Sequence, residues 1–513
     1  SITAATVVGF LIAGTVAFGG SPTNVTVEGT EAGTITITGV EGSGSAATIA
    51  RESGKLTVGD IYPKSEVIKS LAGLLTVKVE GTVATITGNY KEDGTYLGDL
   101  SITSGAQQGV TFLSTDETVT SITSDLKVDV TGKADKLATA MEATNAEDKV
   151  ASTGEITVNA HAVGMKANAG ATAENKKTDE KTTGKITVED PDGVGMSAIG
   201  EGSLATNEGI IEAKKGIGML AEDKGTIKNA VGATIEAGNS ESTSAGTGMS
   251  VTGNGTATNE GTINVNYAGS VGMSATTKAG ETSTLTNDGT ITVTKGTGIS
   301  VTGDGTAEVK AGKITVEAEQ TGIKVAGTGT TNVTGTTIDL KGTGTGINAT
   351  GNVTLEDIAI TLTGAGTGIE YNGGEAVANA KISIGDTELK ASGATGIKAT
   401  MSNQATSTLD ITTGSIATTN ASAFGIKIAG GGTASTPASG VQKSTATVTT
   451  TLGETKGTGV EVTGKANNDI TVNLGAADVV ATADDPTTKA EVSGIGVKIA
   501  GNEANGKVVV NVN

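Results

Sequence analysis

Asn287-Asp288-Gly289-Thr290-Ile291-Thr292-Val293 is followed, after Thr294 and Lys295, by Gly296-Thr297-Gly298-Ile299-Ser300-Val301. Thr290 to Val293 alternates polar and apolar residues and is rich in β-branched side chains, so it reads as a strand with one face in and one face out. Ile299-Ser300-Val301 alternates in the same way. The Asn-Asp-Gly ahead of the first strand reads as a turn, because Asn and Gly tolerate positive φ. Two strands of this length close no core alone, so the reading turns on whether the unit recurs.

It recurs through most of the chain. Asn259-Glu260-Gly261-Thr262-Ile263-Asn264-Val265 repeats the first element, Asn207-Glu208-Gly209-Ile210-Ile211 is a variant, and Gly184-Lys185-Ile186-Thr187-Val188 and Gly312-Lys313-Ile314-Thr315-Val316 keep the strand without the Asn. The second element starts as Gly164-Met165, Gly195-Met196, Gly218-Met219, Gly248-Met249 and Gly272-Met273. It continues from Gly298-Ile299 to Gly425-Ile426 and ends as Gly459-Val460 and Gly496-Val497. Spacings run from 22 to 37 residues, with a mean of about 28. Two positions after each Met, Ile or Val stands another apolar residue or Tyr371. The residue between is polar except at Leu220. Short third runs such as Gly255-Thr256-Ala257-Thr258 complete the unit. Coils of this size that bury nothing alone stack into a parallel β-solenoid. At about 4.8 Å per strand, twelve steps give roughly 55–60 Å.

Composition fits a narrow interior. The chain has 513 residues, with 78 Gly, 5 Pro, no Cys, no Trp and 2 % aromatics. Gly is about twice its usual share, yet Gly and Pro together stay below the low-complexity range. Collagen is excluded, because Gly does not fall at every third position. A disulfide scaffold and a Cys-ligated metal are also excluded. Gly-x-Gly pairs, as at Gly193, Gly216, Gly246, Gly296, Gly344, Gly366, Gly457 and Gly494, are expected where a Cβ would clash with the adjacent coil. A nucleotide loop would need G-x-G-x-x-G opening a helix; here strands follow.

The net charge of −20, from 35 basic and 55 acidic residues, argues against nucleic acid and anionic membrane as partners. The uncharged start, Ile2 to Phe18, lacks flanking Lys or Arg and contains Gly9 and Gly14. It reads as cap or first-coil strands, or as a segment that docks on another chain, rather than as a membrane span. The opening Ser1 points to a processed protein or an excised fragment. Residues 1–150 are expected to form a less regular N-terminal cap. Short helices are expected at Tyr62 to Leu71, with Pro63 in the first turn, and at Ala134 to Ala146. Residues 151–513 are expected to hold about 13 repeats. Glu174 to Thr183, Gly430 to Ser444 and Ala481 to Lys489 read as inserted loops, the usual places for binding.

Candidate chemistry is sparse. His161 is the only histidine and Arg51 the only arginine, so a Ser-His-Asp triad or a His-rich metal site lacks its parts. Asp484-Asp485 precedes Pro486 and reads as a turn rather than a pair of hydrolase carboxylates. Gly303-Asp304-Gly305 occurs once, where a calcium repeat would recur. Met165 to Met273 take the position of later Ile and Val, so they are expected in the core. The outward Lys and Glu read as a solvated face. No catalytic, cofactor-binding or metal residue is assigned, no cofactor is expected, and ligand-binding residues stay unassigned.

From about residue 155 onward, Asn-x-Gly-Thr-Ile-x-Val followed by Gly-x-Gly-Met/Ile-x-Val resembles passenger-domain repeats of large type V autotransporter adhesins, above all the fusobacterial type. The resemblance implies a right-handed parallel β-helix at the bacterial surface or secreted, with roles in adhesion, coaggregation and biofilm formation. Its partners would be host or bacterial glycan and protein receptors. The family's membrane β-barrel has no counterpart in Val508-Val509-Val510-Asn511-Val512, which reads as another solenoid strand. Two other readings are a self-assembling filament or surface-layer subunit with head-to-tail contacts, and a polysaccharide-active enzyme.

Overall fold

A computed structural model describes residues 119–475 apart from 180–181, 240–243, 386–387, 394, 432–442 and 466–467, together with 25–29, 34–38, 47–50, 55–57, 75–88, 100–104, 110–115, 117, 495–499 and 507–512. Every described element is a strand. The chain divides into two compact units, Ser1–Ser270 and Val271–Asn513.

In the first unit each coil contributes three strands, and equivalent strands of successive coils pair in parallel. An isoleucine ladder runs through Leu100–Thr103, Lys127–Thr131, Glu155–Val158, Lys185–Val188, Ile210–Ala213 and Thr234–Ala237 to Thr262. A glycine ladder runs through Val110–Ser114, Ala138–Ala143, Ala162–Asn168, Val194–Ile199, Gly216–Glu222 and Gly246–Thr252. An asparagine ladder runs through Ser121–Ser124, Lys149–Ser152, Thr172–Asn175, Leu204–Asn207, Thr226–Asn229 and Thr256–Asn259. Parallel coil-to-coil pairing is thus already present ahead of residue 151.

The N-terminal strands supply one partner to each ladder. Val25–Gly29, Lys55–Thr57 and Val83–Gly88 pair in parallel with Leu100–Thr103, Val110–Ser114 and Ser121–Ser124. Antiparallel partners join two of them, Thr34–Thr38 beside Val25–Gly29 and Leu75–Glu80 beside Val83–Gly88.

The expected helix at Ala134 to Ala146 is corrected to a strand, Ala138–Ala143, whose residues are buried except for half-buried Glu142. Alanine is the best helix former, but propensity is a weak bias, and pairing on both sides with neighbouring coils overrides it. The helix expected at Tyr62 to Leu71 lies outside the described residues, as do Ile2 to Phe18, Arg51, Asp484-Asp485 and the Ala481 to Lys489 loop. The 430–444 loop lies mostly outside them.

The second unit repeats the plan with some of its strands merged. Thr306–Val316, Thr330–Leu340 and Asn352–Leu362 each merge two strands of a coil and pair along their whole length. Its glycine ladder passes from Thr297 through Thr321–Gly327, Thr345–Thr350, Thr367–Asn372, Thr395–Thr400, Phe424–Ala429 and Thr458–Thr463 to Ile495–Ile499.

The interior is a file of medium side chains. Met141, Met165, Met196, Met219 and Met249 stand in register and are buried, as are Ile299, Ile323, Ile347, Ile369, Ile397 and Ile426 in the second unit. The Met series is therefore core, where an unbranched thioether fills the same slot as Ile. Tyr371 stands in the adjacent inward column, two residues after Ile369. It sits in register between Ala349 and Ala399, and its hydroxyl donates to the Gly351 carbonyl at 3.0 Å. Burial pushes that hydroxyl up to about 12.

The repeat glycine is required by backbone proximity rather than by backbone angle. A Cβ on Gly322 would stand 2.5 Å from the carbonyl oxygen of Gly346, and one on Gly346 would stand 2.5 Å from that of Gly368. Neither glycine has positive φ. The same approach recurs at Gly164, Gly195 and Gly218 in the first unit.

The asparagines correct the expected turn chemistry. Asn207, Asn229 and Asn259, with Gly209 and Gly261 behind them, do not adopt positive φ. Each Asn instead ends a strand, fully buried, and points inward. The Asn175 Nδ2 donates to Asn207 Oδ1 at 2.7 Å, Asn207 to Asn229 at 2.8 Å and Asn229 to Asn259 at 2.8 Å. Second donors reach backbone carbonyls, as from Asn207 to Gly209 at 3.3 Å. The file starts at Asn175, because Ser152 of the preceding coil is too short to continue it, and Asn175 Oδ1 is left without a partner. Asn175 therefore closes the strand Thr172–Asn175, so the loop expected from Glu174 begins only at Lys176.

Two stability measurements follow. Gly322→Ala forces the Gly346 carbonyl aside and is expected to cost about 1–3 kcal/mol, as overpacking of a close contact does; denaturant unfolding that leaves the variant equal to wild type refutes the close approach. Asn229→Ala takes the acceptor from Asn207 Nδ2 and the donor from Asn259 Oδ1, with an expected loss of about 1–3 kcal/mol for the orphaned buried groups. A loss no greater than that of Asn332→Ala, an outward half-buried asparagine whose amide donates to Glu308, counts against the ladder.

Candidate functional site

With the inward positions filled by small and medium side chains, chemistry can lie only on the outward ones. Register stacks those side chains into columns, one residue per coil. Opposite charges on neighbouring coils then meet. Lys149 contacts Glu174 at 2.7 Å, Lys185 contacts Glu212 at 2.8 Å, Lys228 contacts Glu260 at 2.8 Å and Lys398 contacts Glu370 at 2.7 Å. What reads in sequence as a solvated face is thus laced between coils by ion pairs. Each exposed pair contributes at most about 1 kcal/mol, but the pairs repeat, and like charges in register would repel.

Glu461 is held between lysines of two neighbouring coils. It is buried on the outward column and receives Lys427 at 3.1 Å and Lys498 at 2.9 Å from the coils on either side. Burial pushes its carboxyl up, and the hydrogen bonds and charges of Lys498 and Lys427 outweigh that, so the net shift is downward. Lys427 also lies over the Phe424 ring, 4.0 Å from its centroid.

The residues singled out by sequence do not converge. His161 occupies a coil corner between Glu155–Val158 and Ala162–Asn168, with φ of 50°. Its Nε2 lies 3.6 Å from Asp192 Oδ2, and both side chains are substantially exposed. This is a surface corner contact. Asp304 lies in a corner between strands, beside Gly303 with φ of 110°. Among the described residues no group of three or more His, Cys, Asp or Glu side chains is placed to hold a metal ion. No helix among them is long and apolar enough to cross a membrane.

Sequence reading missed two features of the site region. The first is the cross-coil pairing of charge. Its signal was present in the recurrence of Lys and Glu at equivalent repeat positions, such as Glu370, Lys398, Lys427 and Glu461. The second is Phe424, an outward, half-buried aromatic with Thr395 and Thr458 in register on either side.

Glu461 allows the ion-pair reading to be tested by pH. A carboxyl held below its ordinary 4.5 adds stability that is present above that value and is lost as pH falls through the lower folded value. Wild type is expected to be more stable than Glu461→Gln at neutral pH, and the gap to close as the solution is acidified below 4.5. A gap that is constant with pH would refute the clamp.

Residues 212–307 match the family model described as the BigA third pectate lyase-like domain. That stretch spans the last coils of the first unit and the first strands of the second, so the match falls on the repeating solenoid. No curated protein and no solved structure matches the chain.

Proposed function

We infer that this chain is a non-enzymatic β-solenoid displayed at, or secreted from, the bacterial surface, where it acts as an adhesin or stalk of the type V autotransporter passenger kind. The observation that carries this reading is the in-register stacking of outward Thr, Lys and Glu columns over successive coils of both units. Such an array offers a repeated polar surface for many weak contacts. The described residues, by contrast, bring no nucleophile, base and orienting acid together. The match to a pectate lyase-like domain supports the solenoid type. Its partners are host or bacterial surface glycans and proteins; the acidic balance of the chain disfavours nucleic acid.

The test is attachment of the purified chain to host cells, partner bacteria and immobilised glycans, run beside a cleavage screen on the same polysaccharides. Saturable binding without turnover is the expected result. Absence of binding to all three surfaces overturns the adhesin reading, and release of oligosaccharides overturns the non-enzymatic one.

A further inference from the structure

One outward face of the second unit differs in charge from the acidic chain around it. On the glycine ladder the strands starting at Thr297, Thr321, Thr345, Thr367, Thr395 and Phe424 lie in parallel register. The middle outward column on these strands reads Ser300, Lys324, Asn348, Glu370, Lys398 and Lys427. The outer columns on either side hold Thr, Ala, Asn and the Phe424 ring, with no charge.

Glu370 is neutralised by Lys398, and Lys427 by Glu461. Lys324 is exposed and has no carboxylate partner among the described residues. Its neighbours in register are Ser300 and Asn348, both neutral. The face therefore carries one uncompensated ammonium, Lys324, near one end of its centre line, two further lysines paired with carboxylates, and an aromatic ring at the other end, flanked by threonine hydroxyls. From the Thr297 strand to the Phe424 strand is about 24 Å at strand spacing.

We propose that this face binds a linear anionic polysaccharide lying across successive coils. The proposal rests on the adhesin reading and adds to it the surface and the ligand class. Charge complementarity selects the occupant: Lys324 meets a carboxylate or sulfate, threonine hydroxyls meet sugar hydroxyls, and the exposed part of the Phe424 ring receives a sugar face. Nucleic acid fits less well. Tight backbone binding needs many phosphate contacts, and only one cation here is free of a carboxylate.

The experiment uses the full chain with chondroitin sulfate, dextran as the neutral comparator and a single-stranded homopolymeric DNA as the polyanion comparator. The variants are Lys324→Glu, Lys324→Arg and Lys313→Glu, the last on the neighbouring isoleucine-type strand; unchanged circular dichroism and thermal melting establish that they fold. Chondroitin sulfate is expected to bind with an affinity that falls as salt rises, and dextran much more weakly. Lys324→Glu is expected to weaken binding roughly fivefold or more, while Lys324→Arg and Lys313→Glu leave it near wild type. The proposal is overturned if Lys324→Glu binds normally, if Lys313→Glu loses as much, or if dextran or the DNA binds as tightly as chondroitin sulfate. Attachment to cells without chondroitin sulfate binding removes this face and leaves the adhesin reading standing.

Discussion

The structure depends on how closely one coil's backbone approaches the next at the repeat glycine. In the second unit the position occupied by a Cβ in any other residue lies about 2.5 Å from a carbonyl oxygen of the following coil, at glycine after glycine. Because that contact is backbone against backbone, no rotamer change relieves it. Glycine at this position sets how the strand enters the coil. The next residue is then always inward, and the Met, Ile and Val file follows from it.

Pairing between coils fixes the remaining features. Parallel strands in register place equivalent residues directly above one another, so every per-coil choice is multiplied along the ladder. For the inward asparagines, multiplication turns a polar residue that is costly to bury alone into a file in which amide donates to amide and the cost falls mainly on the end member, Asn175. For outward charges it brings opposite signs together on neighbouring coils, as at Glu370 with Lys398 and at Glu461 between Lys427 and Lys498. The same logic makes deviations visible. Tyr371 fits the lumen only because Ala349 and Ala399 flank it, and Phe424 stands out because threonines flank it.

Much of this was legible in the residues themselves. Period-2 alternation marked Thr290 to Val293 and Ile299 to Val301 as strands, and their recurrence marked a solenoid. The substitution of Met165 to Met273 by later Ile and Val marked that position as core. Three readings went astray for one reason: local propensity was asked to decide what the neighbouring coil decides. Ala134 to Ala146 read as helix because alanine favours helix, whereas Ala138–Ala143 is held as a strand from both sides. Asn207 and its equivalents read as turn formers, whereas they end strands and face inward. Glu174 and Asn175 read as loop, whereas they close a paired strand.

The amino-acid sequence by itself determined the coil length, the strand identity of the repeats, the inward Met, Ile and Val positions and the absence of thiol and clustered histidine chemistry. All of these depend on residue type and spacing along one coil. Only the tertiary structure decided which side chains meet across coils: the Asn175 to Asn259 file, the Glu461 clamp by Lys427 and Lys498, and the uncompensated charge of Lys324. These contacts join residues separated by a whole coil. Their existence depends on register between strands, and coils of 22 to 37 residues do not reveal that register until they are folded and stacked.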